Sequence, residues 1–184
     1  MAGLRRLFAE RRRAQRRRPL AHSGESAPRL ISARVRAEGC SGLRHIQIRD
    51  FHLFTDLGPD CAGFDLGPTP FELQLGALGS CLTQTFLCHA AARGVVVERI
   101  EVEVTGRIDP LAGAPGQDQR PATPRDIRYT LHVTSPASAD EVARLRDAVE
   151  RSCPILNLLV QPQPIRGTIV HDLGPAPEVA ASPN

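Results

Sequence analysis

Two cysteines in contrasting settings carry the chemistry that this chain could perform. Cys81 sits inside an apolar run from Phe71 to Leu82 that includes Gly76, Ala77, Gly79 and Ser80. Cys153 follows 72 residues later, in Ser152-Cys153-Pro154-Ile155-Leu156. A thiol at a helix start lies near orphan backbone donors and the positive end of the helix dipole, which favour the nucleophilic thiolate. A thiol among small residues can be held where only selected substrates reach it. Together the two suggest a two-cysteine redox site. Each also has a bland reading, because a buried cysteine often serves as a small core hydrophobe. Cys88 lies seven residues beyond Cys81, nearly on the same helix face, and reads mainly as such a packing residue. His89 points about 80° away from the Cys81 direction. Zinc held by Cys81, Cys88 and His89 is a further reading, although their spacing lacks the pattern of strong zinc sites.

The elements that must position these thiols are marked by their ends. Residues 56–70, with Gly58-Pro59-Asp60 and Gly67-Pro68-Thr69-Pro70, read as a loop leading into a helix. Thr69 is the expected N-cap, Pro70 takes the first helical position, and Glu72 at N3 completes a capping box. The helix should run to about Arg93 and stop at Gly94. Its apolar residues extend around much of its circumference, as in a buried central helix. Gly76 and Gly79 lower helicity but permit close approach of backbone or substrate. Alternating patterns predict strands over residues 30–35, 43–53, 95–108 and 127–133. Ile100, Val102 and Val104 share one inward face, and Ile127, Tyr129, Leu131 and Val133 another. Residues 109–124 form a Gly/Pro-rich connection, and residues 137–151, capped by Ser138, an amphipathic helix. A shorter helix opens at Ser152 or Cys153, and a last strand is expected over 164–170. This order favours an α+β fold over a doubly wound sheet.

At 184 residues and 20.0 kDa the chain suits one domain, over residues 30–171. A basic, unstructured extension and linker is expected over 1–29, and a flexible tail over 172–184. The apolar share of 41% supports a real core, and an aromatic share of 4% makes that core one of Leu, Val, Ile and Ala. No segment is long and apolar enough to predict a membrane-spanning helix. Five cysteines without a CxxC pair argue against a disulfide-stapled secreted module, so a reducing cytoplasm is the expected compartment. All 23 basic side chains are arginines, and eight of them lie within residues 1–18. The remainder carries 15 arginines against 19 carboxylates, so the basic balance belongs to the extension. That extension reads first as a solvated tail and second as a weak contact for RNA, DNA or anionic lipid. No aromatic interleaving accompanies it to indicate specific nucleic-acid recognition.

Several segments taken in order resemble the OsmC/Ohr family, in particular its OsmC-like branch. They are Gly67-Pro68-Thr69-Pro70-Phe71-Glu72-Leu73 through Ala77-Leu78-Gly79-Ser80-Cys81, then Arg93-Gly94 with Ile100-Glu101-Val102-Glu103-Val104, and Glu150-Arg151-Ser152-Cys153-Pro154-Ile155. The resemblance implies an intertwined homodimer, with a long central helix packed against antiparallel sheet and active sites near the subunit interface. It implies that Cys81 attacks an organic hydroperoxide and that Cys153 resolves the sulfenic acid into a Cys81–Cys153 disulfide. The chemistry is sound, since a sulfenic acid condenses readily with a neighbouring thiol. An external dithiol of the lipoyl type would reopen the bridge, and no bound cofactor or metal is implied. The family's thiolate is supported by an arginine from an early loop or strand, for which Arg44 and Arg49 are the candidates. In its strong hydroperoxide reductases an acid directly follows the proline that begins the helix. Phe71 holds that place here, and Glu72, one residue later, points about 180° away from Cys81 along a continuous helix. Glu72 can therefore reach a thiol only across an interface. The departure at Phe71 keeps a second function in view: a non-enzymatic OsmC-like protein that binds an apolar ligand or serves a stress-related structural role.

Overall fold

The computed structural model describes Glu10, Arg13 and residues 28–39, 41–109, 123–161 and 163–171. The expected extension lies almost wholly outside the described residues, as do the C-terminal tail, Cys40 and most of the 109–124 connection. Strands β1 (Arg34–Ala37), β2 (Arg44–Ile48) and β3 (Phe51–Thr55) form one antiparallel sheet in that order. A 3-10 turn (Pro59–Cys61) precedes helix α1 (Pro70–Arg93). Strands β4 (Arg99–Arg107) and β5 (Arg125–Thr134) pair as a second antiparallel sheet, and α2 (Ala139–Ser152) and α3 (Pro154–Val160) follow. The expected α+β class is the one observed.

The signals at both ends of α1 act as the sequence implies. Thr69 Oγ1 accepts from the Glu72 backbone N–H at 3.3 Å, and Glu72 Oε2 accepts from the Thr69 N–H at 2.7 Å. Gly94 closes the helix at φ 73°, where its N–H reaches the carbonyls of Ala90 and Ala91. Between the caps, Leu78, Leu82, Phe86 and Ala90 recur every four residues and are buried as one stripe. They join Val97, Leu145, Val149 and Cys153 in a single core. Ile100, Val102, Val104, Tyr129, Leu131 and Val133 close that core from the sheet. The intervening Glu101, Glu103, Thr130 and His132 face outward and are exposed. The two helix glycines differ in use. A methyl at Gly79 would come 3.2 Å from Val104 Cγ2, so its absence lets α1 approach β4, whereas Gly76 has nothing within 4 Å.

Three expectations are corrected. The single strand over 43–53 is a hairpin, with Ile48 opposite Phe51 and Arg49-Asp50 as its two-residue turn. Arg49 adopts φ 56°, a region usually taken by glycine or asparagine, so the turn carries little sequence signal. The strand expected over 30–35 forms instead at Arg34–Ala37, where β2 supplies partners from Gln47 to Arg44, and leaves Leu30 and Ile31 exposed. Residues 164–170 form no strand, and Ile165, Ile169 and Val170 are almost fully exposed. An alternating pattern needs a neighbour to pair with, and these residues have none within the described chain.

The register of β1–β3 sorts its side chains by face. Val35, Ile46 and Leu53 lie opposite one another, and Ile48 and Phe51 extend the same apolar face. Arg36, His45, Gln47 and His52 occupy the other. No described helix is long and apolar enough to cross a membrane.

Candidate functional site

The site is built around an elbow. Cys153 ends α2 and begins α3, with φ −72° and ψ 113°. Its N–H donates to Val149 O at 2.8 Å, completing α2, while its carbonyl accepts from the Asn157 N–H at 3.0 Å, starting α3. Asn157 Nδ2 adds a second bond to the same carbonyl at 3.0 Å. Pro154 forces the break, because a residue before proline is pushed out of the helical region. Of the two candidate caps, Ser152 and Cys153, the structure selects Cys153.

The Cys153 side chain is fully buried, and its thiol lies close enough to that of Cys81, across the α1–α2 packing, to feel its charge. Cys81 is half-buried on α1, and both thiols are free. Burial pushes the Cys153 thiol above its ordinary value, and the hydrogen bond and charge of Cys81 push in the same direction. The backbone N–H groups of Leu156 and Ile155 oppose the shift without reversing it. A helix start was expected to favour thiolate at this position; the donors are present, but desolvation outweighs them. Cys153 therefore ionises less readily than an ordinary thiol.

Two polar clamps surround the elbow. Ser152 Oγ donates to Ala148 O at 2.7 Å, which uses its only proton, so His89 Nε2 at 2.6 Å must donate to that oxygen. This direction fixes the α2 terminus to α1 and leaves Ser152 unactivated as a nucleophile. Burial holds His89 below its usual value, and the charges of Arg93 and Arg151 add to that effect. On the opposite side, the Tyr129 hydroxyl donates to the Glu150 carboxylate, joining β5 to the last turn of α2. Burial raises Tyr129 strongly, the Glu150 bond and charge raise it further, and Cys153 adds to the same electrostatic field.

The remaining sequence candidates lie on other parts of the chain. Glu72 is exposed at the far end of α1, held below its ordinary value by the Thr69 backbone and hydroxyl bonds of the capping box. Arg49 lies in the hairpin turn with its guanidinium 5.0 Å from the Phe51 ring centre. Arg44 lies on the apolar face of the three-stranded sheet. Its Nε donates to Thr55 Oγ1 at 3.3 Å and its Nη1 to Gly42 O at 2.9 Å, while Nη2 is buried without a hydrogen-bond partner among the described residues. Cys61 is exposed in the 3-10 turn. The zinc set is not assembled: among the described residues no three His, Cys, Asp or Glu side chains gather as metal ligands.

Sequence reasoning passed over Asp56. Its buried carboxylate accepts backbone N–H groups of Leu57, Phe64 and Leu66 at 2.8, 3.0 and 3.2 Å, and so shapes the loop before α1. Those bonds, that of Leu57 foremost, hold it below the usual carboxylate range against the opposing effect of burial, and Arg44 contributes from nearby. The local signal was an acid heading a Gly/Pro-rich loop. Tyr129 and Glu150 carried no comparable signal, because they lie 21 residues apart on different elements.

Comparison with known proteins agrees with this architecture. A family model described as OsmC-like protein matches residues 63–166, more than half of the chain. Among solved structures, an OsmC-like protein from Mycoplasma pneumoniae superposes with a TM-score of 0.60 at 20% identity, covering 72% of this chain and 88% of that one. An organic hydroperoxide resistance protein OsmC from Legionella pneumophila gives a TM-score of 0.51 at 16% identity, covering 71% and 90%. A putative organic hydroperoxide resistance protein from Vibrio cholerae, with captopril bound in one of its active sites, gives 0.52 at 19%, covering 73% and 86%. At these identities the structures share the fold. No curated protein matches the chain. With its long capped helix, its paired antiparallel strands and the matched residues spanning both cysteines, the chain belongs to the OsmC-like family.

Proposed function

We propose that the protein is a cysteine-dependent reductase of organic hydroperoxides. The observation that carries this reading is the proximity of the Cys81 and Cys153 thiols at the α2–α3 elbow. Cys81 sulfur attacks the terminal oxygen of ROOH, the O–O bond breaks, and the alcohol ROH leaves after taking up a proton. Cys81 is thereby oxidised to sulfenic acid. Cys153 sulfur then displaces the sulfenic hydroxyl, which departs as water with the Cys153 proton, and the S–S bond forms. An external dithiol, lipoyl-linked in this reading, reduces the bridge and is itself oxidised to a disulfide. The raised Cys153 thiol suits this order, because burial makes it the less reactive nucleophile toward the peroxide until a sulfenic acid is beside it.

Arg44 and Glu72 take supporting roles in the proposal. Arg44 has a free donor in Nη2, suited to a thiolate or peroxide oxygen. Glu72, anchored in its capping box, would act only across a homodimer interface. The apolar face of β1–β3 supports such a dimer, which this reading places in the cytoplasm.

The test is hydroperoxide consumption with cumene hydroperoxide and a dithiol. Cys81→Ser should abolish turnover, and wild-type activity in that variant would reject Cys81 as the attacking residue. Cys153→Ser should still consume one equivalent and leave a sulfenic acid that a dimedone probe traps. One equivalent of substrate should give a Cys81–Cys153 bridge by mass spectrometry, and a persistently reduced pair would reject resolution by Cys153. Alkylation of Cys153 in the reduced protein should require a pH above its ordinary midpoint of 9.0.

A second reading rests on a groove of about 480 Å³ between α1 and β4, lined by Leu75, Val102 and Val104 together with the polar Glu72, Ser80 and Thr83. It suits a ligand with an apolar body and a polar end. A lipid-like molecule retained by native protein that shows no peroxide turnover would favour ligand binding over catalysis.

A further inference from the structure

The polar face of the three-stranded sheet carries a cluster that the thiol chemistry does not use. His45 on β2 and His52 on β3 are diagonal neighbours, since the register sets His45 opposite Phe54 and His52 opposite Gln47. His45 Nε2 lies 2.7 Å from His52 Nδ1. The ring centres are 4.9 Å apart with 18° between planes, so with the nitrogens this close the rings meet nearly edge to edge. On its other nitrogen, His45 Nδ1 is 3.3 Å from Glu38 Oε1, just beyond β1, and Arg36 Nε reaches the same oxygen at 2.8 Å. Phe54 packs against the His45 ring, with centres 5.1 Å apart and 20° between planes. His45 is mostly buried at 11% side-chain exposure, and His52 is exposed.

The proton positions follow from these distances. Glu38 is an acceptor, so His45 carries its proton on Nδ1 and presents the Nε2 lone pair to His52. A carboxylate on the far nitrogen of an imidazole is the arrangement that orients a histidine toward a metal and raises its basicity. In the metal-free pair, the hydrogen between the rings belongs to His52 Nδ1. Moving it to His52 Nε2 leaves two lone pairs facing each other across the 2.7 Å gap, with no net loss of protons.

We propose that His45 Nε2 and His52 Nδ1 form a binding site for one divalent transition-metal ion of the Ni2+ or Cu2+ type, with Glu38 orienting His45. Metal–nitrogen bonds of about 2.0–2.1 Å at a right angle separate two donors by about 2.9 Å, whereas a tetrahedral ion requires about 3.4 Å. The observed 2.7 Å is closer to the first, and because the two lone pairs lie in line, a tetragonal ion on His45 Nε2 is reached by a turn of the exposed His52 ring. Two imidazoles also rank Ni2+ and Cu2+ ahead of earlier metals in intrinsic affinity. His52, being exposed, is free to turn and leaves the remaining coordination positions to water. The bound ion would pin β2 to β3.

The test is a titration of the full reduced chain with nickel chloride, followed by NMR of its histidine ring signals. Nickel does not oxidise the thiols, and the other four of the chain's six histidines serve as internal controls. At one equivalent the His45 and His52 signals should broaden first. His52→Gln, at an exposed position, should abolish that response, and Glu38→Gln should weaken binding about 10- to 100-fold while retaining it. Equal broadening of all histidines, first response at His89 or the cysteines, or undiminished affinity in His52→Gln would each overturn the site. Unchanged affinity in Glu38→Gln would overturn the carboxylate's part in it. None of these outcomes depends on peroxide turnover.

Discussion

The two halves of this molecule treat their apolar residues in opposite ways. Around α1, the second sheet and the helix pair, every large side chain of the stripe Leu78, Leu82 and Phe86 is covered by residues of the same chain. The β1–β3 sheet has an equally regular apolar face, yet Val35, Phe51 and Leu53 stay exposed at 57%, 60% and 41%. The patterns are alike, and what differs is whether a covering layer exists within the chain. Burial stabilises by roughly 25 cal/mol per Å², so an apolar sheet face of this kind favours association. The first region forms its own core, and the second lacks only a cover.

Perturbing each region sharpens the contrast. Leu82→Ala should cost about 2–5 kcal/mol in urea denaturation, because the cavity forms where packing is complete. A loss below about 1 kcal/mol would show that the α1 core can collapse and that the regions are less distinct than their burial. Leu53→Asp should leave helix content intact and convert the proposed dimer into monomer in sedimentation at micromolar concentration. An unchanged sedimenting mass would mean that no second copy covers that face. Thr69→Ala should cost about 1 kcal/mol by removing a cap. The Glu72 half of that capping box gives the effect a pH signature. Its folded pKa is lowered from 4.5, so its contribution is full above that value and fades as pH falls through the lower folded one. Stability that is flat through this acid range would discount the carboxylate's part in the cap. Glu101→Gln, which removes the exposed pair with Arg99, should change stability by no more than about 0.5 kcal/mol, and a larger loss would contradict its solvated setting.

The same contrast explains how much the sequence revealed. Thr69-Pro70 with Glu72, the glycine at 94, Ser138 with its helix and the Cys153-Pro154 break are local devices whose physics acts within a few residues, so they were legible. The alternation of Ile100, Val102 and Val104 was legible because its partner strand and helix belong to the same compact unit. The hairpin at Arg49-Asp50 was not, since arginine rarely takes positive φ and the turn borrows its stability from the strands. Residues 164–170 show the converse, a strand pattern with no strand. Of the site, both cysteines and the helix start could be read. The sign of the Cys153 shift could not, because it depends on how much of the chain folds over the sulfur. Tyr129, Glu150 and the His89–Ser152 bond are products of packing and leave no local trace.

The elbow at Cys153 has a mechanical consequence. One residue is the last link of α2 and the first of α3, and its sulfur is the part that lies beside Cys81 of α1. A covalent bridge there would tether a joint rather than the middle of a rigid rod. In the proposed cycle, oxidation would fasten that joint to α1 and reduction would release it, so the bridge would act where one helix hands over to the next.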